Sequence, residues 1–173
     1  HLSSYASQTG RDEKLLIEAF EVESKYHNLI INESDALERE KLYQDFYQEL
    51  LPLYGRNADE QSKSNPKQQR VDTFSKELFN KHIIDFGCGE GEFLQAIKES
   101  LAFKSLTGVD AYIPPALHET EKIQFIPSSI IKFKTEKKYD IAFSDNVIEH
   151  ISPDDLQEHL KSVNNSLVDK GKF

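Results

Sequence analysis

The stretch from Ile83 to Leu94 limits what this chain can fold into more than any other part of its sequence. Two isoleucines, Asp85 and Phe86 lead into three glycines on alternate positions, and an amphipathic helical pattern follows at once. This order is typical of a buried strand, a tight glycine turn and the start of a helix. Glycine has no Cβ and accepts positive φ, so the turn would let backbone approach a ligand closely, beside the free N–H groups of the helix start.

Three more strand patterns follow the turn, at residues 105–110, 122–127 and 139–144. They alternate with a helical pattern after the turn, a break at Pro114-Pro115 that shortens the next crossover, and a last helix. Strands that alternate with helices predict an α/β fold with an open, mostly parallel sheet and right-handed crossovers. Ligands of such sheets bind at the carboxyl ends of the strands, near the point where the strand order reverses.

The last helix begins at Ser152-Pro153, where a serine, a proline and two following acids are typical of a helix start. Lys170-Gly171 is its predicted end, and Lys172 would begin the next strand. The helical period predicts a core stripe of Leu156, Leu160, Val163 and Leu167. Four complete strands are then visible in the sequence.

The residues before the turn predict a helical extension. An apolar period marks one helix over residues 11–31, and a second helix, capped by Asn32 or Ser34, ends near Gly55. We interpret the apolar stripes of both helices as packing surfaces. The alternative is that a tyrosine of the second helix lines a lid over a ligand cleft, and the candidates are Tyr43, Tyr47 and Tyr54.

The predicted organisation is a helical hairpin at 1–55, a polar linker at 56–69 and the α/β domain at 70–173. A short helix over 70–79 would open the domain. The net charge of −9 disfavours a nucleic-acid surface, because phosphate binding requires clustered Lys and Arg. The sequence contains no apolar run long enough to span a membrane, no apolar signal segment at its start and a single cysteine, so we expect a cytoplasmic protein.

The glycine spacing distinguishes between ligands. The dinucleotide fingerprint G-x-G-x-x-G fits neither from Gly87 nor from Gly89. Asp85 and Glu90 beside the turn would repel a pyrophosphate, whereas they would attract a cationic ligand without phosphate, such as S-adenosylmethionine. Asp110, which closes the second strand 25 residues after Asp85, is at the right distance to accept hydrogen bonds from both hydroxyls of a ribose.

The sequence resembles the class I S-adenosylmethionine-dependent methyltransferases of the type 11/12 kind over residues 83–173. Ile-Ile-Asp-Phe-Gly-Cys-Gly-Glu-Gly is similar to their first motif, Gly-Val-Asp110 to their ribose motif, and the segment from Tyr139 to Ile151 to their fourth strand and its exit. The resemblance implies a Rossmann-like, mostly parallel α/β sheet, truncated here because family sheets usually have seven strands. It also implies S-adenosyl-L-methionine as the cofactor.

The resemblance implies a role for each part of the predicted site. Asp85, Gly87 and Gly89, with Cys88 and Gly91 in the same turn, would cradle the methionine part, and Asp110 with Ala111 would take the ribose. Ser128, Ser129 and Ile130 would flank the adenine, where many members have an Asp. Backbone from Ser144 to Asn146 would face the sulfonium. The cofactor-binding candidates are therefore Asp85, Gly87, Cys88, Gly89, Gly91, Asp110, Ala111, Ser128, Ser129, Ser144 and Asn146.

Methyl transfer is an in-line displacement, so the protein mainly has to position the donor and the acceptor. A general base helps when the acceptor is a hydroxyl, and His150 and Asp145 are the catalytic candidates, with Glu149 nearby. Alternatively, Glu149 and His150 brace the following helix. Some RNA 3′-end 2′-O-methyltransferases and quinone O-methyltransferases bind a metal here through Glu-x-x-Glu-His. In this sequence neutral Asn146 replaces the first carboxylate, which leaves Glu149 and His150 as weak metal candidates.

The leading prediction is a methyltransferase that acts on a small-molecule or sugar-like acceptor. A metal-assisted methyltransferase of RNA 3′ ends and a non-catalytic binding or scaffolding protein with the same fold are the alternatives. With the strand order that is usual in the family, the fourth strand would lack a neighbour and expose an edge. We then expect weak cofactor binding or self-association through that edge.

Overall fold

The computed structural model describes residues 12–54, 66–117 and 120–173, together with Ala6. The predicted helix end at Gly55 and most of the predicted linker, residues 56–65, lie outside the described residues. The chain divides into two compact units, His1–Lys63 and Ser64–Phe173, which are treated separately below. Within the described ranges, no helix is both long and apolar enough to cross a membrane.

Over its described residues 12–54, the first unit contains two helices, α1 (Glu13–Asn32) and α2 (Ala36–Leu50), and a 3-10 turn at Leu51–Tyr54. The Asp35 carboxylate caps α2 by accepting a hydrogen bond from the backbone N–H of Leu37 at 2.8 Å. The predicted caps are therefore wrong: Asn32 is the last residue of α1, and Ser34 precedes the actual cap. An aspartate is as good an N-cap as either, and its charge also suits the positive end of the helix dipole.

The two helices pack through part of the predicted stripes. The rings of Tyr26 and Phe46 lie 5.5 Å apart, and the Tyr26 hydroxyl donates to Glu49 Oε1 at 2.8 Å. Tyr43 is buried, which agrees with its interpretation as a packing residue. Leu29 is 44% exposed, so the stripe predicted for the first helix is narrower than its periodicity suggested.

The second unit is an α/β sandwich around a parallel sheet. Two short helices, α3 (Pro66–Thr73) and α4 (Ser75–Leu78), come before β1 (His82–Phe86), α5 (Glu92–Ser100) and β2 (Ser105–Asp110). A 3-10 turn (Pro115–Leu117), β3 (Ile123–Pro127), β4 (Tyr139–Phe143), a 3-10 turn (Ile148–His150), α6 (Pro153–Ser166) and β5 (Leu167–Lys172) follow. The described strands form one sheet in the order β3-β2-β1-β4-β5, and every neighbouring pair is parallel. This confirms the predicted α/β fold.

Strand β1 lies at the centre of the sheet and is buried on both faces. Ile83 belongs to the apolar cluster that contains Leu94 and Ile97 of α5, whereas Ile84 belongs to the opposite cluster with Val163 of α6. Alternate residues of a strand point to opposite faces, so one short strand supplies both layers of the core. The order reverses beside β1, where the chain continues to β2 on one side and returns as β4 on the other.

The C-terminal segment differs from the prediction. Helix α6 ends at Ser166, and Leu167–Lys172 forms β5 alongside β4, so neither the helix end at Lys170-Gly171 nor the strand start at Lys172 is correct. Asn164, Asn165 and Ser166 are weak helix formers, and the following Leu167-Val168 favours a strand. The fourth strand is therefore paired on both sides, and β5 is the outer strand of the described sheet.

The core face of α6 also differs from the predicted leucine stripe. Leu160 is 42% exposed, and Leu167 lies in β5. The buried face is instead mostly polar and consists of Asp155, His159, Ser162, Val163 and Ser166. Buried polar groups require partners, and His159, Ser162 and Ser166 find them in backbone oxygens or in Ser144.

Helix α3 begins four residues before the predicted start at residue 70. Pro66 takes its first position, which suits a residue with a fixed φ and no N–H to satisfy. The helix therefore begins inside the segment predicted as a linker. This early start places two basic side chains, Lys67 and Arg70, on the same short helix.

Candidate functional site

The predicted glycine turn is present between β1 and α5. Gly87, Gly89 and Gly91 all have positive φ, at 76°, 52° and 71°. A Cβ at Gly87 would lie 2.3 Å from Val147 Cγ2, and one at Gly91 would lie 2.5 Å from Phe125 Cζ. A Cβ at Gly89 would have no described atom within 4 Å, apart from atoms of Gly89 and its two chain neighbours. Packing therefore requires glycine at Gly87 and Gly91, whereas Gly89 borders open space.

Asp110 is joined directly to this turn. Its Oδ2 accepts a hydrogen bond from the N–H of Gly89 at 2.8 Å, and its Oδ1 accepts one from Tyr112 at 3.3 Å. The N–H of Gly87 in turn donates to the Val109 carbonyl oxygen at 2.7 Å. Burial raises the pKa of the Asp110 carboxyl, although backbone hydrogen bonds from Gly89 and Tyr112 oppose this. The carboxyl predicted to bind ribose thus lies beside the open position of the turn.

Asp85 lies near the end of β1 and is buried, with 4% of its surface exposed. The pKa of its carboxyl is raised to about 7: desolvation is the largest cause, the carboxylates of Asp110 and Asp145 add to it, and Lys67 and Arg70 oppose it. Burial disfavours the charged form of an acid unless a cation compensates it. The Asp85 carboxyl is therefore suited to a positively charged ligand group.

Asp145 follows β4 and forms an ion pair with α3. Its Oδ2 accepts a hydrogen bond from Arg70 Nη1 and lies 3.8 Å from Lys67 Nζ. The Arg70 guanidinium also lies over the Phe93 ring, 5.7 Å from its centroid. The sequence analysis missed both cations. The signal was their spacing of three residues on a short helix before β1, which puts them on one face.

The segment after β4 brings some of the predicted residues together and separates others. Ser144 is half-buried, and its Oγ lies 3.2 Å from His159 Nε2. Asn146 is exposed and has a positive φ of 55°. Glu149 and His150 lie exposed on the following 3-10 turn. In the described part of the chain, no three His, Cys, Asp or Glu side chains are grouped so that they could hold a metal ion.

The remaining predicted residues follow the ends of β1, β2 and β3. The Ser128 N–H donates to the Asp110 carbonyl oxygen at 2.8 Å, and Ser129 Oγ accepts from the Ile131 N–H at 3.3 Å. Ala111 is half-buried after Asp110. Cys88 is buried, and burial raises the pKa of its thiol well above the usual value. The Cys88 side chain is thus inert packing, and only its backbone is available to a ligand.

His159 is a buried residue of this region that the sequence analysis also missed. Its ring nitrogens reach Ser144 and the carbonyl oxygen of Ile130, which directly follows Ser128 and Ser129. The apolar period of α6 predicted a buried face made mainly of leucines instead. A histidine one position before Leu160 gives no sequence signal of burial, because its partners lie in distant loops.

The profile of a protein family described as a methyltransferase domain matches residues 36–173, which is most of the chain. The chain belongs to this family of methyltransferases. The match agrees with the order of the sheet and with the glycine turn beside Asp110. It confirms the family resemblance predicted from the motifs.

Solved methyltransferase structures are similar to this chain in fold. A 1,6-didemethyltoxoflavin-N1-methyltransferase from Burkholderia thailandensis, with bound 1,6-didemethyltoxoflavin and S-adenosylhomocysteine, is 21% identical with a TM-score of 0.56, over 73% of this chain and 56% of that one. DhpI in complex with SAH is 12% identical with a TM-score of 0.60, over 76% and 65%. The N-methyltransferase NodS from Bradyrhizobium japonicum, in complex with S-adenosyl-L-homocysteine, is 18% identical with a TM-score of 0.53, over 70% and 67%. The match thus spans between about half and two thirds of each of these proteins.

Proposed function

We propose that this methyltransferase-family chain binds S-adenosyl-L-methionine at the glycine turn and supports methyl transfer to a small-molecule or sugar-like acceptor. The observation that carries the proposal is the pair formed by Gly89 and Asp110. The Asp110 carboxylate accepts a hydrogen bond from the N–H of Gly89, the glycine of the turn that borders open space. Such a pair can approach a ribose and the adjoining chain of a donor closely.

The charges of the site support a donor with both positive and negative groups. Asp85 would face the ammonium or sulfonium charge, whose approach compensates the cost of its buried carboxylate. Lys67 and Arg70 are available for the donor's carboxylate, either together with Asp145 or in exchange for it. A site that combines carboxylates with two cations fits an amino-acid group better than a pyrophosphate.

The other donor contacts are proposed from the positions of residues at the carboxyl ends of β3 and β4. Ser128 and Ser129 would flank the adenine, and the segment from Ser144 to Asn146 would lie near the sulfonium. The bound donor would supply an already activated methyl group, so the protein's task is to hold donor and acceptor in line. Asp145 and His150 remain the proposed general bases. The Asp145 carboxylate is engaged in an ion pair with Arg70, which a role as base would have to break.

The acceptor class is proposed on two grounds. A net charge of −9 disfavours a polyanionic acceptor such as RNA. The fold-related Burkholderia enzyme has the small heterocycle 1,6-didemethyltoxoflavin bound. Small neutral or cationic molecules, including sugar-like ones, are therefore the class to test first. A cytoplasmic location stays a prediction from the sequence. The prediction of an exposed edge on the fourth strand is wrong, because β5 pairs with β4, so the predicted self-association loses its structural basis.

Transfer of a radiolabelled methyl group from S-adenosylmethionine to a panel of amines, sugars and phenols tests the proposal. We expect labelling of at least one small acceptor, its loss in the Asp110→Asn variant and no change in the Asp169→Asn variant, because Asp169 is exposed on β5. Labelling that required added divalent metal and RNA would favour the metal-assisted alternative. Donor binding without transfer to any acceptor would favour the scaffolding alternative.

A further inference from the structure

A single buried imidazole joins two separate segments of the site. His159 is fully buried on α6; its Nδ1 lies 3.1 Å from the carbonyl oxygen of Ile130, and its Nε2 lies 3.2 Å from the hydroxyl oxygen of Ser144. Ile130 comes after β3, and Ser144 comes after β4. These strands are not neighbours, because β2 and β1 lie between them. His159 therefore links the adenine side of the proposed donor site to its sulfonium side.

The hydrogen-bond partners assign the tautomer of this ring. A carbonyl oxygen can only accept, so the hydrogen of the ring lies on Nδ1 and is donated to Ile130. Burial lowers the pKa of His159, although the Ile130 carbonyl opposes this, and the lowered pKa favours the neutral ring. Nε2 then has a free lone pair and accepts the hydroxyl hydrogen of Ser144. The Ser144 hydroxyl is thereby fixed as a donor toward α6.

This arrangement has a consequence for the charge that the end of β4 presents. Because the Ser144 hydrogen is used by His159, the remaining lone pairs of its oxygen are the only polar feature that the hydroxyl can offer elsewhere. Oxygen lone pairs attract a positive sulfonium, whereas an O–H hydrogen pointing at it would repel it. The ring thus orients the dipole of a side chain in the segment proposed to lie near the sulfonium.

Neighbouring contacts keep the ring in place. The Phe86 ring packs edge-to-face against His159, with centroids 5.8 Å apart and planes at 86°. One turn further along α6, the Ser162 hydroxyl donates to the Ile131 carbonyl oxygen at 2.6 Å. Two side chains on one face of the helix therefore hold consecutive carbonyls of the loop after β3. Packing and hydrogen bonds together define one orientation for the imidazole.

We propose that His159 is a positioning residue of the donor site, which holds the loop at Ile130 and orients the Ser144 hydroxyl for the methyl donor. The inference rests on the proposed function, since the benefit of this orientation is to a sulfonium. It acts through Ser144 and the loop, and His159 itself contacts neither donor nor acceptor.

The first test is independent of any ligand. The ¹⁵N chemical shifts of His159 in the whole 173-residue chain report which ring nitrogen holds the hydrogen. We expect a protonated Nδ1 and an unprotonated Nε2 near neutral pH, and loss of the Nε2 hydrogen-bond shift in Ser144→Ala. A hydrogen on Nε2, or no response to Ser144→Ala, would overturn the assigned orientation.

The second test measures donor affinity by titration calorimetry with S-adenosylmethionine. His159→Leu removes both hydrogen bonds and should weaken binding about tenfold, the equivalent of one to two net hydrogen bonds. His159→Gln has an amide oxygen that can accept from Ser144, so it should recover most of that loss. Ser166→Ala is the matched control, because Ser166 is buried on the same helix but bonds only to Val163 of that helix.

A double variant separates positioning from general stability. If His159 acts through Ser144, Ser144→Ala combined with His159→Leu should bind the donor no more weakly than His159→Leu alone. Additive losses, or wild-type affinity in a folded His159→Leu protein, would refute the proposal. If His159→Leu does not fold, the His159→Gln affinity and the tautomer decide. Absence of donor binding by the wild type would instead refute the proposed function, and the tautomer measurement would still stand.

Discussion

At the scale of single residues, the buried carboxylate of Asp85 should favour binding of a cationic ligand but lower the free energy of unfolding. A carboxyl with a pKa near 7 is half-ionised at neutral pH although it is buried. A cationic ligand group would compensate this charge, so the folded protein without ligand bears a cost that binding removes. Donor affinity and protein stability should therefore respond to pH in opposite senses.

Donor affinity should rise with pH through the pKa of Asp85. The ionised carboxylate attracts the donor's positive charge, and the protonated form does not. With a pKa of about 7 in the free protein, the dissociation constant should fall about tenfold between roughly pH 6 and pH 8. Calorimetric titrations across this range measure the effect. The Asp85→Asn variant should bind weakly and show a nearly flat profile, whereas an unchanged slope in that variant would exclude Asp85 as the titrating group.

The free energy of unfolding should fall as pH rises, in contrast to the donor affinity. The folded-state pKa of Asp85 lies above its unfolded value, so the folded state binds the proton more tightly, and this group's contribution is lost as pH rises from about 4 to 7. Asp85→Asn removes the cost of ionisation. The variant should be more stable than wild type by about 1–3 kcal/mol near pH 8, and equal to it near pH 4. Thermal unfolding without ligand measures the difference; a less stable variant at both pH values would contradict the account.

Two glycines of the turn should respond differently to alanine. At Gly87 the new Cβ would overlap Val147, so Gly87→Ala should cost about 2–4 kcal/mol of unfolding free energy. Gly89→Ala meets only the cost of its positive φ, about 1 kcal/mol, but places a methyl group in the ligand space. Urea unfolding and donor titration separate the two effects. Equal losses of affinity and stability in both variants would contradict the assignment of Gly89 to the ligand.

At the scale of elements, α3 contributes to the site although its sequence carries no motif. Lys67 and Arg70 reach Asp145 at the end of β4, and this joins segments 75 residues apart in the chain. A pairing over such a distance leaves no local periodicity. It requires knowledge of the strand order, which sequence patterns indicate only as a class of fold.

Removing a cation of α3 should weaken binding of the methyl donor without unfolding the chain. Arg70→Met keeps the apolar contact with Phe93 but removes the charge. We expect a five- to fiftyfold weaker binding of S-adenosylmethionine, an estimate that corresponds to about 1–2 kcal/mol. Lys76→Met on α4 is the control for a change of net charge. If both substitutions have the same effect on affinity, the contribution of Arg70 is unspecific.

Substitutions on α6 can test which of its residues are buried. Val163 is buried and Leu160 is 42% exposed, although the sequence period placed both in one core stripe. Val163→Ala should therefore cost about 2 kcal/mol of unfolding free energy, and Leu160→Ala under about 1 kcal/mol. Chemical denaturation measures both values. The reverse order would restore the predicted stripe and contradict the observed face.

Sequence patterns predicted the elements whose residues follow local rules. The glycine turn, the Asp110 strand end and the four strands from β1 to β4 are all encoded by neighbouring residues. The polar face of α6 was missed because His159 and Ser162 are stable inside the protein only through oxygens of the loop after β3. Strand β5 was missed because Gly171 and Lys170 resemble a helix end when the pairing with β4 is unknown.

At the scale of the whole molecule, the strand order brings the residues of the candidate site together at the carboxyl ends of the central strands. Strands β1, β2 and β4 end side by side, and their exits bring together Asp85, the glycine turn, Asp110 and Asp145. With Lys67 and Arg70 of α3, both signs of charge occur within one small region. Fold and charge together therefore favour a compact ligand with separated charges over a polymer.

Titration calorimetry of the 173-residue chain with S-adenosylmethionine near pH 8 tests this account most directly. We predict saturable binding of one donor per chain, weakened about ten- to a hundredfold by Asp110→Asn and unchanged by Asp169→Asn. Asn can still accept from the Gly89 N–H, so the loss would report on the ribose contact. A folded wild-type protein that takes up no donor, or an Asp110→Asn variant that binds as tightly as wild type, would contradict the central claim.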